Sequence, residues 1–71
     1  MKTRCTAAIT NYLIERIGRR VALCESQGGR WITIQHSITP RDARIYGFNL
    51  DAPGVQAVFA GAGLPTTTEE A

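Results

Sequence analysis

The chain has little of what usually announces a chemistry. Its 71 residues include one His (His36), two Cys (Cys5 and Cys24), one Trp (Trp31) and six acids. A zinc site needs three or four ligands at suitable spacing. Here Cys5, Cys24 and His36 are the whole soft-ligand supply, with no C-x-x-C and no H-x-x-x-H. No metal and no cofactor is expected. Cysteine nucleophiles need a His brought close, and the strand pattern read below sets Cys24 and His36 on opposite faces. General acid–base work needs placed carboxylates. Of the internal acids Glu15, Glu25, Asp42 and Asp51, three are expected in structural roles as a cross-strand partner or helix caps. Gly28-Gly29 lacks the Gly-x-x-x-x-Gly-Lys pattern and joins two strands rather than a strand to a helix, so it is not a phosphate loop. These absences point away from an enzyme.

Two cysteines are too few for a disulfide-dense secreted scaffold, and two buried thiols are expected rather than a bridge. No stretch approaches the roughly 20 apolar residues that cross a bilayer. Lys2 and Arg4 could open a secretory signal, but Thr10, Asn11, Glu15 and Arg16 interrupt the apolar run it would need. A cytoplasmic protein without a membrane partner is expected.

Charge is missing from one region in particular. All eight Lys and Arg lie between Lys2 and Arg44, and no charge occurs from Ala52 through Thr68. Residues 1–44 hold eight cations against Glu15, Glu25 and Asp42, a net +5, while residues 45–71 hold only Asp51, Glu69 and Glu70, a net −3. Such a split suggests a basic surface on one portion and a buried or partner-covered segment on the other. Seven of the eight cations are Arg, whose planar fork suits phosphate, carboxylate and aromatic partners. A GC-rich coding sequence would give the same bias without any function.

The apolar fraction of 44% is that of a globular chain. One domain over residues 1–65 is expected, followed by an acidic tail at 66–71. Apolar positions Ala8, Ile9, Tyr12, Leu13 and Ile17 recur near helical spacing and predict an N-terminal helix over Thr6–Ile17, ended by Gly18. Arg16, Arg19 and Arg20 would then sit at the negative pole of its dipole. A β-hairpin follows, with strands at about 20–25 and 30–36 around Ser26-Gln27-Gly28-Gly29. A turn centred on Gln27-Gly28 pairs Glu25 with Arg30 and is preferred for that charge pairing. A turn centred on Gly28-Gly29 pairs Glu25 with Ile32 and Leu23 with Ile34. Both put Val21, Leu23, Ile32 and Ile34 on one face, to pack on the first helix. Ala22, Cys24, Trp31 and Thr33 fall on the other, with Arg20 and Gln35 near Trp31.

Thr39-Pro40-Arg41-Asp42 predicts a short helix at about 40–46, with Thr39 as its cap and Gly47 at its end. The alternation of Tyr46, Phe48 and Leu50 keeps a third strand open as the competing reading. Asp51 is expected to cap a last helix at about 52–62. Its lack of charge implies burial on most sides or a covered partner face, including a homodimer through residues 52–64.

The expected architecture is thus a small α+β domain ordered helix, hairpin, short helix, helix. A helix-turn-helix is excluded, because a second helix at 52–64 offers only Gln56 to base edges. The expected function is non-enzymatic binding of a larger protein or ribonucleoprotein partner, of an accessory, regulatory or inhibitor type. The alternative is direct nucleic-acid binding through the arginines. The candidate binding residues are Arg16, Arg19, Arg20, Arg30, Trp31, Arg41 and Arg44.

Overall fold

The computed structural model describes residues 5–66. The chain opens with strands rather than a helix: β1 (Thr6–Ala8), β2 (Tyr12–Ile17), β3 (Arg20–Gln27) and β4 (Arg30–Gln35). They form one antiparallel sheet in the order β1-β2-β3-β4, followed by α1 (Pro40–Tyr46) and α2 (Pro53–Gly61). The fold is α+β, but the expected helix over Thr6–Ile17 is a β-hairpin. Ile9, Thr10, Tyr12, Ile14 and Ile17 are β-branched or aromatic, which favours a pleated strand over a helix. Both sides of β2 carry apolar residues, so its alternation is blurred and its spacing imitates a helix. The apparent helical stripe omits Ile14, which is the fully buried residue of this segment.

Gly18 also changes role. Its φ of +64 is the left-handed conformation expected of a helix cap, yet it occupies the two-residue turn Gly18-Arg19 between Ile17 and Arg20. Glycine at the first central position with a positive φ is the requirement of a type II′ hairpin turn.

The β3–β4 hairpin turns on Gly28-Gly29, with Gln27 opposite Arg30, Ser26 opposite Trp31 and Glu25 opposite Ile32. The preferred Glu25–Arg30 pairing is therefore not formed. Both central residues have positive φ, 58° and 82°, as a type I′ turn demands. The other register would force Gln27 into the left-handed region, at about 1–2 kcal/mol. An exposed Glu–Arg pair contributes about 0–1 kcal/mol, so the glycines win. A bulge between Leu23 and Cys24 then shifts the ladder, placing Leu23 opposite Gln35 rather than Ile34.

α1 takes the helical alternative. Asp42 N–H donates to Thr39 Oγ1 at 3.2 Å and Thr39 N–H donates to Asp42 Oδ2 at 3.1 Å, a reciprocal capping box. Gly47 ends the helix, and Phe48 N–H returns to the Ala43 carbonyl at 3.0 Å. Asp51 does not cap α2. The N-cap is Ala52, which makes no side-chain hydrogen bond, while Asp51 N–H donates to Asn49 Oδ1 at 2.9 Å.

α2 packs on β1, β2 and β3. Its Val55, Val58 and Phe59 meet Ile14, Val21 and Leu23 of the sheet, with Ile38, Ala43, Phe48 and Ala62 completing one core. The aliphatic face of β3 thus packs on the C-terminal helices, not on an N-terminal one. Ile32 and Ile34 were expected on the same covered face, but they remain 37% and 39% exposed. The uncharged stretch from Ala52 is explained within the chain. Its Val55, Val58 and Phe59 face the sheet, and Gly54, Gln56, Ala57 and Ala60 are exposed. Among the described residues no helix is long and apolar enough to cross a membrane. Cys24 is a buried free thiol and Cys5 a half-buried one. The expected tail falls outside the described residues, Thr66 apart.

Ile14→Ala should destabilise the protein by about 2–5 kcal/mol, because it removes a fully buried aliphatic side chain from the sheet–helix contact. Ile45→Ala, at a site 78% exposed, should change stability by less than about 0.5 kcal/mol. Urea unfolding followed by circular dichroism measures both.

Candidate interaction surface

The core cluster uses only one face of the sheet. On β2 that face carries Tyr12, Ile14 and Arg16, and on β3 Val21, Leu23 and Glu25, as the pairings Tyr12–Glu25, Ile14–Leu23 and Arg16–Val21 require. The opposite face carries Leu13, Glu15 and Ile17 from β2, Arg20, Ala22, Cys24 and Ser26 from β3, and Trp31 and Thr33 from β4. Ala22 and Cys24 are buried but lie outside the core cluster. Being short and central, they are shielded by taller neighbours: Leu13 and Thr33 flank Cys24, and Glu15 flanks Ala22. The Cys24 sulfur and the Thr33 hydroxyl lie 3.6 Å apart. Leu13, Ile17 and Trp31 are apolar side chains that this face leaves at least partly exposed.

Trp31 is 43% exposed. α2 lies over the other face and leaves the indole uncovered. Its neighbours differ from those expected. Trp31 stands opposite Ser26 near the Gly28-Gly29 turn, about 20 Å along β3 from Arg20 at 3.3 Å per residue.

The arginines among the described residues do not gather into one patch. The meander places the Gly18-Arg19 turn at one end of the sheet and the Gly28-Gly29 turn at the other. Arg19 and Arg20 belong to the first end and Arg30 to the second, separated by about 23 Å of strand. Arg41 and Arg44 are on α1, where both line an open cleft with Thr39, Pro40, Leu50 and Pro65. Arg16 is on the helix side. Its Nη1 donates to the Gly18 carbonyl at 2.9 Å, and its stem lies so close to Gly61 that a Cβ there would stand 2.7 Å from Arg16 Cδ. A cation resting on the last turn of α2 complements the exposed carbonyls there. The helix-dipole role expected for the Arg16, Arg19 and Arg20 cluster thus passes to Arg16 alone, on a different helix.

The sequence sets Trp31 and Thr33 on one face but misses Leu13 and Ile17 as their companions, because these join only once β2 is a strand. It also misses that β4 is an edge. Glu25, instead of facing Arg30, accepts a hydrogen bond from Gln27 Nε2 at 3.1 Å. His36 lies exposed just past β4. Among the described residues no three His, Cys, Asp or Glu side chains come together as a metal-binding group.

Trp31 in the isolated protein should emit at long wavelength and be readily quenched by acrylamide and iodide. As the sole tryptophan it gives an unambiguous signal, and a blue-shifted, unquenched emission would contradict its placement on an uncovered face.

Comparison with known protein families, with curated proteins and with solved structures returns no match to this chain, so the reading of this surface rests on its chemistry.

Proposed function

We propose that this protein is a small non-enzymatic interaction module that binds a larger protein or protein–nucleic-acid assembly, using the sheet surface around Trp31. The observation that carries the reading is a lone tryptophan, 43% exposed, on the face the helices leave uncovered. Trp and Arg are the residues most enriched among interface hot spots, and here Arg30 precedes Trp31 in the same strand. Leu13 on the same face adds apolar surface across β3, with polar Ser26, Thr33 and Glu15 around it. An aromatic anchor on an apolar centre with a polar rim is the usual anatomy of a protein interface.

The scattered arginines favour this reading over direct nucleic-acid binding. A phosphate backbone is followed by a continuous track of cations, whereas these occupy two ends of the sheet and one helix.

The test is capture from a lysate of the organism that encodes the chain, with and without nuclease and at two salt concentrations, using the protein and its Trp31→Ala variant. The expected result is a defined protein set that survives nuclease and salt and is lost with Trp31→Ala, which should weaken binding by about 2–4 kcal/mol if Trp31 is the anchor. Capture abolished by nuclease and falling steeply with salt, but indifferent to Trp31→Ala, would replace this reading with nucleic-acid binding through the arginines.

A further inference from the structure

The main chain of β4 has one strand neighbour among the described residues, β3. Which of its polar groups are free follows from one hydrogen bond. Ser26 N–H donates to the Asn11 carbonyl at 2.9 Å, so the polar groups of Ser26 point toward β2. In an antiparallel ladder successive residues alternate in direction. Glu25 and Gln27 therefore point toward β4 and bond with their partners Ile32 and Arg30. The N–H and C=O of Trp31 and Thr33 are left aimed outward, away from the sheet. The five residues Arg30–Ile34 are all exposed, so nothing described covers this edge.

Protected edges carry inward charges, prolines or lysines, or are very short. β4 has six residues, no proline, no lysine and one charge, Arg30 at its tip. Its only guard is the bulge opposite Leu23 and Cys24, which ends the regular edge beyond Thr33. The chemistry of the edge is also one-sided. From Ser26 through Arg41 there is no acid, and Arg30 is the charge of the strand itself. The nearest carboxylate, Glu25, is on the inner strand and is held by Gln27.

We propose that the free edge of β4 is a strand-addition site that takes an extended, acid-flanked segment of a partner protein as a fifth strand. The outward N–H and C=O groups of Trp31 and Thr33 form the reciprocal main-chain bonds of such an addition. The indole of Trp31 then packs against a β-branched side chain of the added strand, a favourable cross-strand pair, and an acid at the segment's end meets Arg30. A second copy is the poorer occupant, because its own β4 is equally free of acids and cannot answer Arg30. The inference deepens the interaction reading and rests on it.

The test is a titration of the full chain with an acetylated, amidated heptapeptide of alternating valine and threonine bearing a glutamate at each end, so that either strand direction sets one near Arg30. Trp31 emission is the readout. The expected result is a saturable blue shift with Kd below about 1 mM, at least about tenfold weaker when the terminal residues are lysine. Binding should vanish for a peptide N-methylated on every residue, which has no donor on either edge, and for Thr33→Pro, which removes an outward donor without taking a bond from β3. The N-methyl control leaves the protein unchanged, so the test stands even if Thr33→Pro misfolds. No saturable response, or equal response to the glutamate and lysine peptides, overturns the proposal. So does a concentration-dependent self-association that Thr33→Pro abolishes, which would assign the edge to a second copy. A protein captured through Trp31 in nuclease-treated lysate, with no peptide response, would overturn strand addition alone and leave the interaction reading in place.

Discussion

The whole structure depends on how much sheet two short helices can cover. The core is the contact between Ile14, Val21 and Leu23 of the sheet and Val55, Val58 and Phe59 of α2, closed at its margins by Ile38, Ala43 and Phe48. A helix is about 10 Å wide with its side chains, and strands repeat every 4.8 Å or so. A single helix therefore covers two to three strands. α2 lies on β1, β2 and β3, and α1 has only seven residues. Burial therefore runs out at β4. There Ile32 and Ile34 stay partly exposed, and the last link between β4 and the helices is the Tyr46 hydroxyl donating to Gln35 Oε1 at 3.0 Å.

That shortage of cover has a functional side. A chain of this size buries only about 60% of its unfolded surface and is stable by a few kcal/mol, so leaving apolar side chains in water is a real loss. Yet Trp31, Ile32 and Ile34 are left there on an edge strand with little to deter pairing, and Ile17 is left there at the end of β2. A partner that covers them adds the burial that the chain cannot supply for itself. The face and the edge meet at Trp31, whose side chain belongs to the first and whose main chain belongs to the second.

Local signals were legible where one short stretch decides the outcome. The Thr39-Pro40-Arg41-Asp42 cap, the glycine at the end of α1 and the hairpin around Gly28 can all be read from a few residues, because capping and positive φ are local requirements. The first seventeen residues were not legible in this way. Ile14 must be inside and Leu13 and Ile17 on the far face, but that division exists only once β3 lies alongside β2. Apolar residues on both sides of a strand look like a helical stripe in one dimension. The hairpin register failed for a related reason: the Glu25–Arg30 attraction is weaker than the backbone demand of the turn. Trp31 was legible as a candidate anchor, since its opposition to the aliphatic set survives either register. Its distance from Arg20 was not, because that depends on the turn and the bulge together.

The most direct measurement of the account is amide hydrogen exchange along β4 by NMR. If β4 is an uncovered edge whose inner groups face β3, the amides of Arg30 and Ile32 exchange slowly while those of Trp31 and Thr33 exchange at rates near those of exposed turns. An alternating pattern of this kind is the expected result. Equal, strong protection of Trp31 and Thr33 would mean that the edge is already paired, and would contradict the claim that the helices leave this strand open.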